Sequence, residues 1–231
     1  PDDRPMDEFE WERFMREADA CGERYGELLE KYMDHPERDR IIAREMGWDQ
    51  VEKALEDLGV GRLDSLPELD DDALDDAAAP QPDPSRQGID WVRDDRGGIC
   101  HPLVKRCHDL SMRMWRAAEK AGFAGKGVPQ ERQDEDVSEM LFCAQATSAK
   151  LAGALNGIAN GFGLHDAGFI VASLKRALKP LNDALSAVQK VEDRGLLQAQ
   201  IGVFRDGLFQ VRAEIIDLQN LHRARLRDAD A

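Results

Sequence analysis

Residues 137–162 read VSEMLFCAQATSAKLAGALNGIANGF. Leu141, Ala144, Ser148, Leu151, Leu155, Ile158 and Phe162 recur there at steps of 3 and 4, the spacing that puts side chains on one stripe of an α-helix. Asp136 and Glu139 fit a capping box, so the spacing predicts a helix over 137–162. Between Met140 and His165 the only charge before the histidine is Lys150, yet Gln145, Thr147, Ser148, Asn156 and Asn160 interrupt the apolar run. That falls short of the ~18 consecutive apolar residues of a membrane span, so the segment reads as a buried helix.

Three neighbours carry the same signature. Helix 102–121 has Leu103, Cys107, Leu110, Met114, Ala117 and Ala121 in one seam, with Pro102 in its first turn. Helix 167–192 has Val171, Leu174, Leu178, Leu181, Leu185 and Val188, with Pro180 expected to kink or divide it. Helix 195–226 has Leu197, Ile201, Phe204, Leu208, Val211, Ile215, Leu218 and His222. Four amphipathic helices with short connections predict an all-α fold, an antiparallel up-down four-helix bundle over 91–231. Ala149, Gly153, Gly157 and Gly161 repeat every four residues on the 137–162 helix. Each glycine costs roughly 1 kcal/mol of helix propensity against Ala, so the stripe is read as a close approach of a neighbouring backbone.

Ahead of the bundle, residues 1–60 read as a small helical module. A helix over 7–33 carries Trp11, Phe14, Ala18, Cys21, Tyr25, Leu28 and Tyr32 on one stripe. Asp34 with Glu37 would cap a second helix ending at Gly47, and Asp49 with Glu52 a third ending near Gly59. Residues 61–90 include DSLPELDDDALDDAAAPQPDPSRQG, with four prolines and almost no large apolar residues, and read as a flexible acidic linker. WVRDDRGGI, residues 91–99, predicts a small hairpin.

The net charge of −15 is uneven: residues 1–100 hold 13 Lys and Arg against 30 Asp and Glu, and residues 101–231 hold 18 against 16. Such a chain repels phosphate backbones and anionic lipid surfaces, so neither nucleic acid nor membrane is expected as a partner. A faint helix-turn-helix pattern around Ala43 and Gly47 fails on the same ground, because residues 36–60 hold four basic and seven acidic side chains. The Cys spacing offers no CxxC, and no secretory leader pattern opens the chain. The expectation is a soluble, reduced, cytoplasmic protein.

Two Cys-His pairs, Cys100-His101 and Cys107-His108, lie seven residues apart. On one helix that separates them by ~10.5 Å, too far to share one ion. An up-down bundle, however, gathers His101, His108, His165 and His222 at one end. His108, His165 and His222, with Cys107 or Asp166, are therefore candidate ligands for a transition metal. No histidine has a Glu three residues before it, which excludes the di-iron pattern. GxSxG, P-loop, GxGxxG and HExxH motifs are absent, and no nucleophile–base pair can be assigned.

Two functional expectations follow. The first is a non-catalytic interaction or adaptor protein, in which Trp11, Phe14, Tyr25 and Tyr32 dock on the bundle, a second copy or a protein partner. The second is a metal- or small-ligand-binding bundle with its site at the His-rich end. Lys175, Arg176 and Lys179 form a further cluster that fits an anionic ligand or a solvated face.

Overall fold

The structure, a computed structural model, describes residues 5–50, 81–161 and 166–229. It divides into two compact units: Pro1–Glu12 with Pro80–Ala231, and Arg13–Ala79. The fold is an all-α helical bundle whose only sheet, among the described residues, is a two-stranded hairpin.

In the smaller unit the helix α1 (Glu8–Lys31), which starts in the larger unit, is followed by α2 (Arg38–Met46). Tyr32 donates its hydroxyl to Glu45 at 2.9 Å, and the Tyr25 and Trp48 rings lie 5.6 Å apart. The first residue of α2 is not capped by Asp34. Glu37 holds the cap position without a side-chain bond, and its N–H is donated to Nδ1 of His35 instead. Gly47 ends α2 in the left-handed region, as the sequence predicts. The helix expected from Asp49 to Gly59 lies outside the described residues beyond Gln50, as does the acidic stretch up to Pro80.

The larger unit holds the hairpin β1 (Val92–Arg93) and β2 (Ile99–Cys100), then α3 (Pro102–Lys120), α4 (Glu135–Ala159), α5 (Ala167–Asp193) and α6 (Ile201–Ala229). The ring closes as α3–α4–α5–α6–α3, with α4 and α5 the most extensive pair and α3 and α6 the sparsest. Ion pairs at the helix ends report the antiparallel sense. Arg194, just past α5, meets Asp134 and Asp136 at the start of α4. Arg205 near the start of α6 meets Glu192 near the end of α5, and Arg106 near the start of α3 meets Glu214 midway along α6. These pairs are part-exposed and stabilise little individually. The weight rests on the seams: Leu103, Met114, Leu151, Leu155, Leu174, Leu181, Leu208 and Ile215 are fully buried.

Local chemistry adjusts several sequence expectations. Asp134, not Asp136, caps α4, because its extended backbone lets the carboxylate accept from the Val137 N–H. Pro180 neither ends nor divides α5; the helix runs unbroken from Ala167 to Asp193, and the buried ring sits between core residues Ala177 and Leu181. The last helix begins at Ile201 rather than 195. Gly195, at φ 69°, closes α5 in a Schellman motif, with its own N–H on the Glu192 carbonyl and the Leu196 N–H on the Val191 carbonyl. Leu197 follows at φ 52°, a non-helical conformation, yet still packs on the core.

Gly153 and Gly157 of the glycine stripe face outward. A Cβ at Gly153 or Gly157 would meet nothing within 4 Å, so the expected close packing there is not what these residues do. Gly161, the last of the stripe, does meet backbone, since a Cβ there would fall 3.1 Å from the Gln81 carbonyl oxygen, and a closer approach is made by Gly168. A Cβ at Gly168 would collide with the Met6 carbonyl oxygen and come within 3.1 Å of the Trp11 ring. The segment before α1 thus lies against the first turn of α5. Trp11 Nε1 donates to Asp166 at 2.6 Å, its ring meets Phe169 edge-on at 5.1 Å, and Glu8 pairs with Arg223 at 2.9 Å.

Gly168→Ala is therefore expected to displace this segment while the bundle stays folded, at a cost of about 1–3 kcal/mol. Trp11 would move into water, so tryptophan emission should shift to the red, and the shift should vanish in a Trp11→Phe background. Unchanged emission and stability in Gly168→Ala would contradict the close approach.

Candidate functional site

The site is built at the end of the bundle where α3 starts and α6 finishes. The chain before α3 is an ordered hook, although it lies at the end of the stretch read as linker. Asp83 caps a short 3-10 turn, Pro84–Arg86, and its carbonyl accepts from the buried Trp91 indole at 2.9 Å. Arg86 then grips Asp90 through two hydrogen bonds of 2.7 and 2.9 Å. This places Arg86, Ile89 and Asp90 beside the helix ends.

His101 follows the hairpin and starts α3. Its Nδ1 accepts the Leu103 N–H at 3.2 Å, the bond an Asp or Ser usually makes at an N-cap. Pro102 fills the next position, where a missing N–H costs nothing. The cap fixes the chemistry of the ring. An Nδ1 that accepts is unprotonated, so the neutral imidazole carries its proton on Nε2 and presents it as a donor. From α6, Glu214, Asp217, Leu218, Leu221, His222 and Arg225 fall at steps of 3, 1, 3, 1 and 3, one face of the helix. Ile158 near the end of α4 completes the wall. Together these groups enclose a cavity of about 330 Å³ between the hook, α3 and α6.

Both imidazoles are buried, His101 6% exposed and His222 1%. Burial pushes the His101 pKa down to about 4, with Asp90 opposing and Arg106 and His222 adding to the shift. Burial likewise holds His222 at about 4, assisted by Arg225 and opposed by Asp90. Both rings are neutral near neutral pH and act as hydrogen-bonding groups rather than cations. Among the described residues His222 Nδ1 has no hydrogen-bond partner. A buried polar atom left unmatched costs about 1–3 kcal/mol.

Charges around the cavity are mostly matched. Arg86 pairs with Asp90 and Arg106 with Glu214. Arg225 and Asp217 make no ion pair among the described residues. Ile89 and Leu221, 59% and 48% exposed, are large aliphatic side chains left in water on the cavity wall.

The metal candidates separate. Cys107 is buried in the α3 seam, and burial raises its thiol to about 12, so it stays protonated. His108 is exposed and lines an outer cleft with Asp94, Asp95 and Asp109. His222 belongs to the cavity above, and His165 lies outside the described residues. Among the described residues no three His, Cys, Asp or Glu side chains are grouped to hold a metal ion. The aromatic stripe is also divided: Trp11 is engaged by Asp166 and Phe169, Tyr25 by Trp48 and Tyr32 by Glu45, while Phe14 is 54% exposed. In the α5 cluster Lys175 sits over the Phe9 ring and Lys179 pairs with Asp183, while Arg176 is also partnered. No helix among the described residues is long and apolar enough to cross a membrane.

Sequence reasoning placed His222 on a seam and His101 at the same end. It missed Arg86 and Asp90, whose i, i+4 spacing was the available signal. Comparison of the chain with protein-family models, curated proteins and solved structures finds no match.

The linkage has a definite sign. Unfolded histidines titrate near 6.5, the folded ones near 4, so below about pH 6.5 the unfolded chain binds more protons. Stability contributed by the neutral rings is complete above that pH and is lost as pH falls towards 4, by at most on the order of 3 kcal/mol each. His222→Leu removes one of these groups and the unmatched nitrogen. Urea unfolding should show it as stable as wild type or more so at about pH 7, with a shallower loss in acid. A destabilised variant with an unchanged acid slope would contradict this assignment.

Proposed function

We propose that this chain is a small-ligand-binding helical bundle, with its site in the cavity between the 81–91 hook, the start of α3 and the end of α6. The carrying observation is His222: a fully buried imidazole on the cavity wall with an unmatched nitrogen. A leucine at this seam position would serve packing without that cost, so the histidine is explained by what the cavity takes up. The cavity volume lies in the range of small-molecule sites, and its walls combine aliphatic surface with a few fixed polar groups, as such sites require.

A second reading, a protein-interaction module, is supported by the outer face of α4. Phe142 is 72% exposed there, on a face continued by Ala149, Gly153 and Gly157. An exposed aromatic beside small residues suits helix docking. The aromatic stripe of α1 gives this reading less support, because Trp11, Tyr25 and Tyr32 are engaged within the chain.

Ligand-observed NMR with a chemically mixed metabolite library tests the first reading. Compounds should bind the wild-type chain and lose at least about tenfold affinity in Leu221→Trp, which adds bulk at the rim without touching the core. A library in which nothing binds, or whose hits bind Leu221→Trp equally, counts against the cavity. Light scattering of the same protein, before and after Phe142→Ser, tests the second.

A further inference from the structure

We infer that the cavity takes a small monocarboxylate with an aliphatic body, an inference that rests on the ligand-binding reading above. The argument is an account of donors, acceptors and charges.

The donors come first. His101 has committed Nδ1 to the Leu103 amide, so Nε2–H is its remaining polar group, and its direction is fixed by the helix it caps. A ring locked in this way is a permanent donor and cannot switch to accept. His222 lies close enough to influence His101 electrostatically, and Arg225 does the same to His222. All three line the same cavity, and Asp90, held by Arg86, lies near both imidazoles. Arg225 brings an uncancelled guanidinium to the cavity, whereas the charges of Arg86 and Arg106 are already balanced by Asp90 and Glu214. A guanidinium and an adjacent imidazole N–H match the two oxygens of a carboxylate.

Asp217 sets the other limit. It lies eight residues before Arg225 on the same face of α6, so the two are about 12 Å apart along the axis. A second anionic group at that end would meet an unpaired carboxylate, which disfavours diacids. Between the two ends the wall is aliphatic, from Ile89, Ile158, Leu218 and Leu221. Two of these stand largely in water and gain from being covered. The ligand that answers all three features has one anionic head and a short apolar chain.

The probe is hexanoate, compared with hexanamide and hexylamine by titration of the full chain. Hexanoate should bind at least about tenfold more tightly than the amide, and the amine should not bind. Arg225→Gln should erase the difference between acid and amide, and Arg225→Lys should restore part of it. His101→Ser keeps an N-cap residue while deleting the imidazole donor, so it should weaken hexanoate several-fold without lowering stability by more than the cap change allows. Circular dichroism on each variant separates lost binding from lost folding. Equal binding of acid and amide, or tighter binding of the amine, overturns the carboxylate assignment. So does a library that yields ligands of other classes while hexanoate fails, and that result leaves the cavity's role in binding intact. Only a library in which no compound binds removes both.

Discussion

The pairing of α4 with α5 sets the spacing of the whole bundle. The two helices make the most extensive contact in the bundle, and both bury alanines: Ala144, Ala154 and Ala159 on one, Ala172, Ala177, Ala184 and Ala187 on the other. Small side chains let two helix axes approach towards the near end of the usual 8–10 Å range. A four-membered ring that is tight on one side cannot be equally tight on all. The slack falls opposite, between α3 and α6, the sparsest pair. The cavity lies along that line, and so do two further clefts, one lined by Arg106, Arg113 and Gly207 and one by Arg116, Lys120 and Val203. The site is thus a consequence of how the core closes rather than an appendage to it.

One hydrogen bond connects that geometry to chemistry. The imidazole at the start of α3 satisfies a helix N–H that any capping residue could satisfy. Serine or aspartate would do so without a large buried ring. Using histidine puts a second nitrogen, with a defined proton, at the wall of the cavity. The hook of residues 81–91 then covers the ring enough to keep it neutral. The cap, the tautomer and the lowered pKa are three outcomes of one placement.

Much of this was legible in the sequence. The four seams emerged from steps of 3 and 4 because burial of a helix face is a periodic constraint. His222 was visible as a polar residue where the period demanded an apolar one. What escaped was set by groups distant in sequence. Asp134 replaced Asp136 as a cap at a position where Arg194 also reaches both carboxylates. Leu197 kept its apolar contact but lost its helix because Gly195 turns the chain first. The glycine stripe showed which face it occupied, but periodicity does not say what stands opposite: nothing at Gly153 and Gly157, and the Gln81 backbone at Gly161. Arg86 and Asp90 were hidden by composition: averaged over an acidic, proline-rich window they look like linker, yet the Asp83 cap, their own ion pair and the Trp91 anchor order them. His165 and the candidate third helix of the front unit lie outside the described residues.

The uneven ring also bears on how such a protein can change over time. Substitutions between α4 and α5 meet fully buried alanines, where an added methylene forces the helices apart and costs stability. Substitutions at the cavity rim, as at Ile89 and Leu221, meet solvent, where size and polarity can vary without disturbing the core. The fold therefore separates the residues that hold it together from those that face a ligand. A lineage built on this plan can drift from one small molecule to another while its architecture stays fixed.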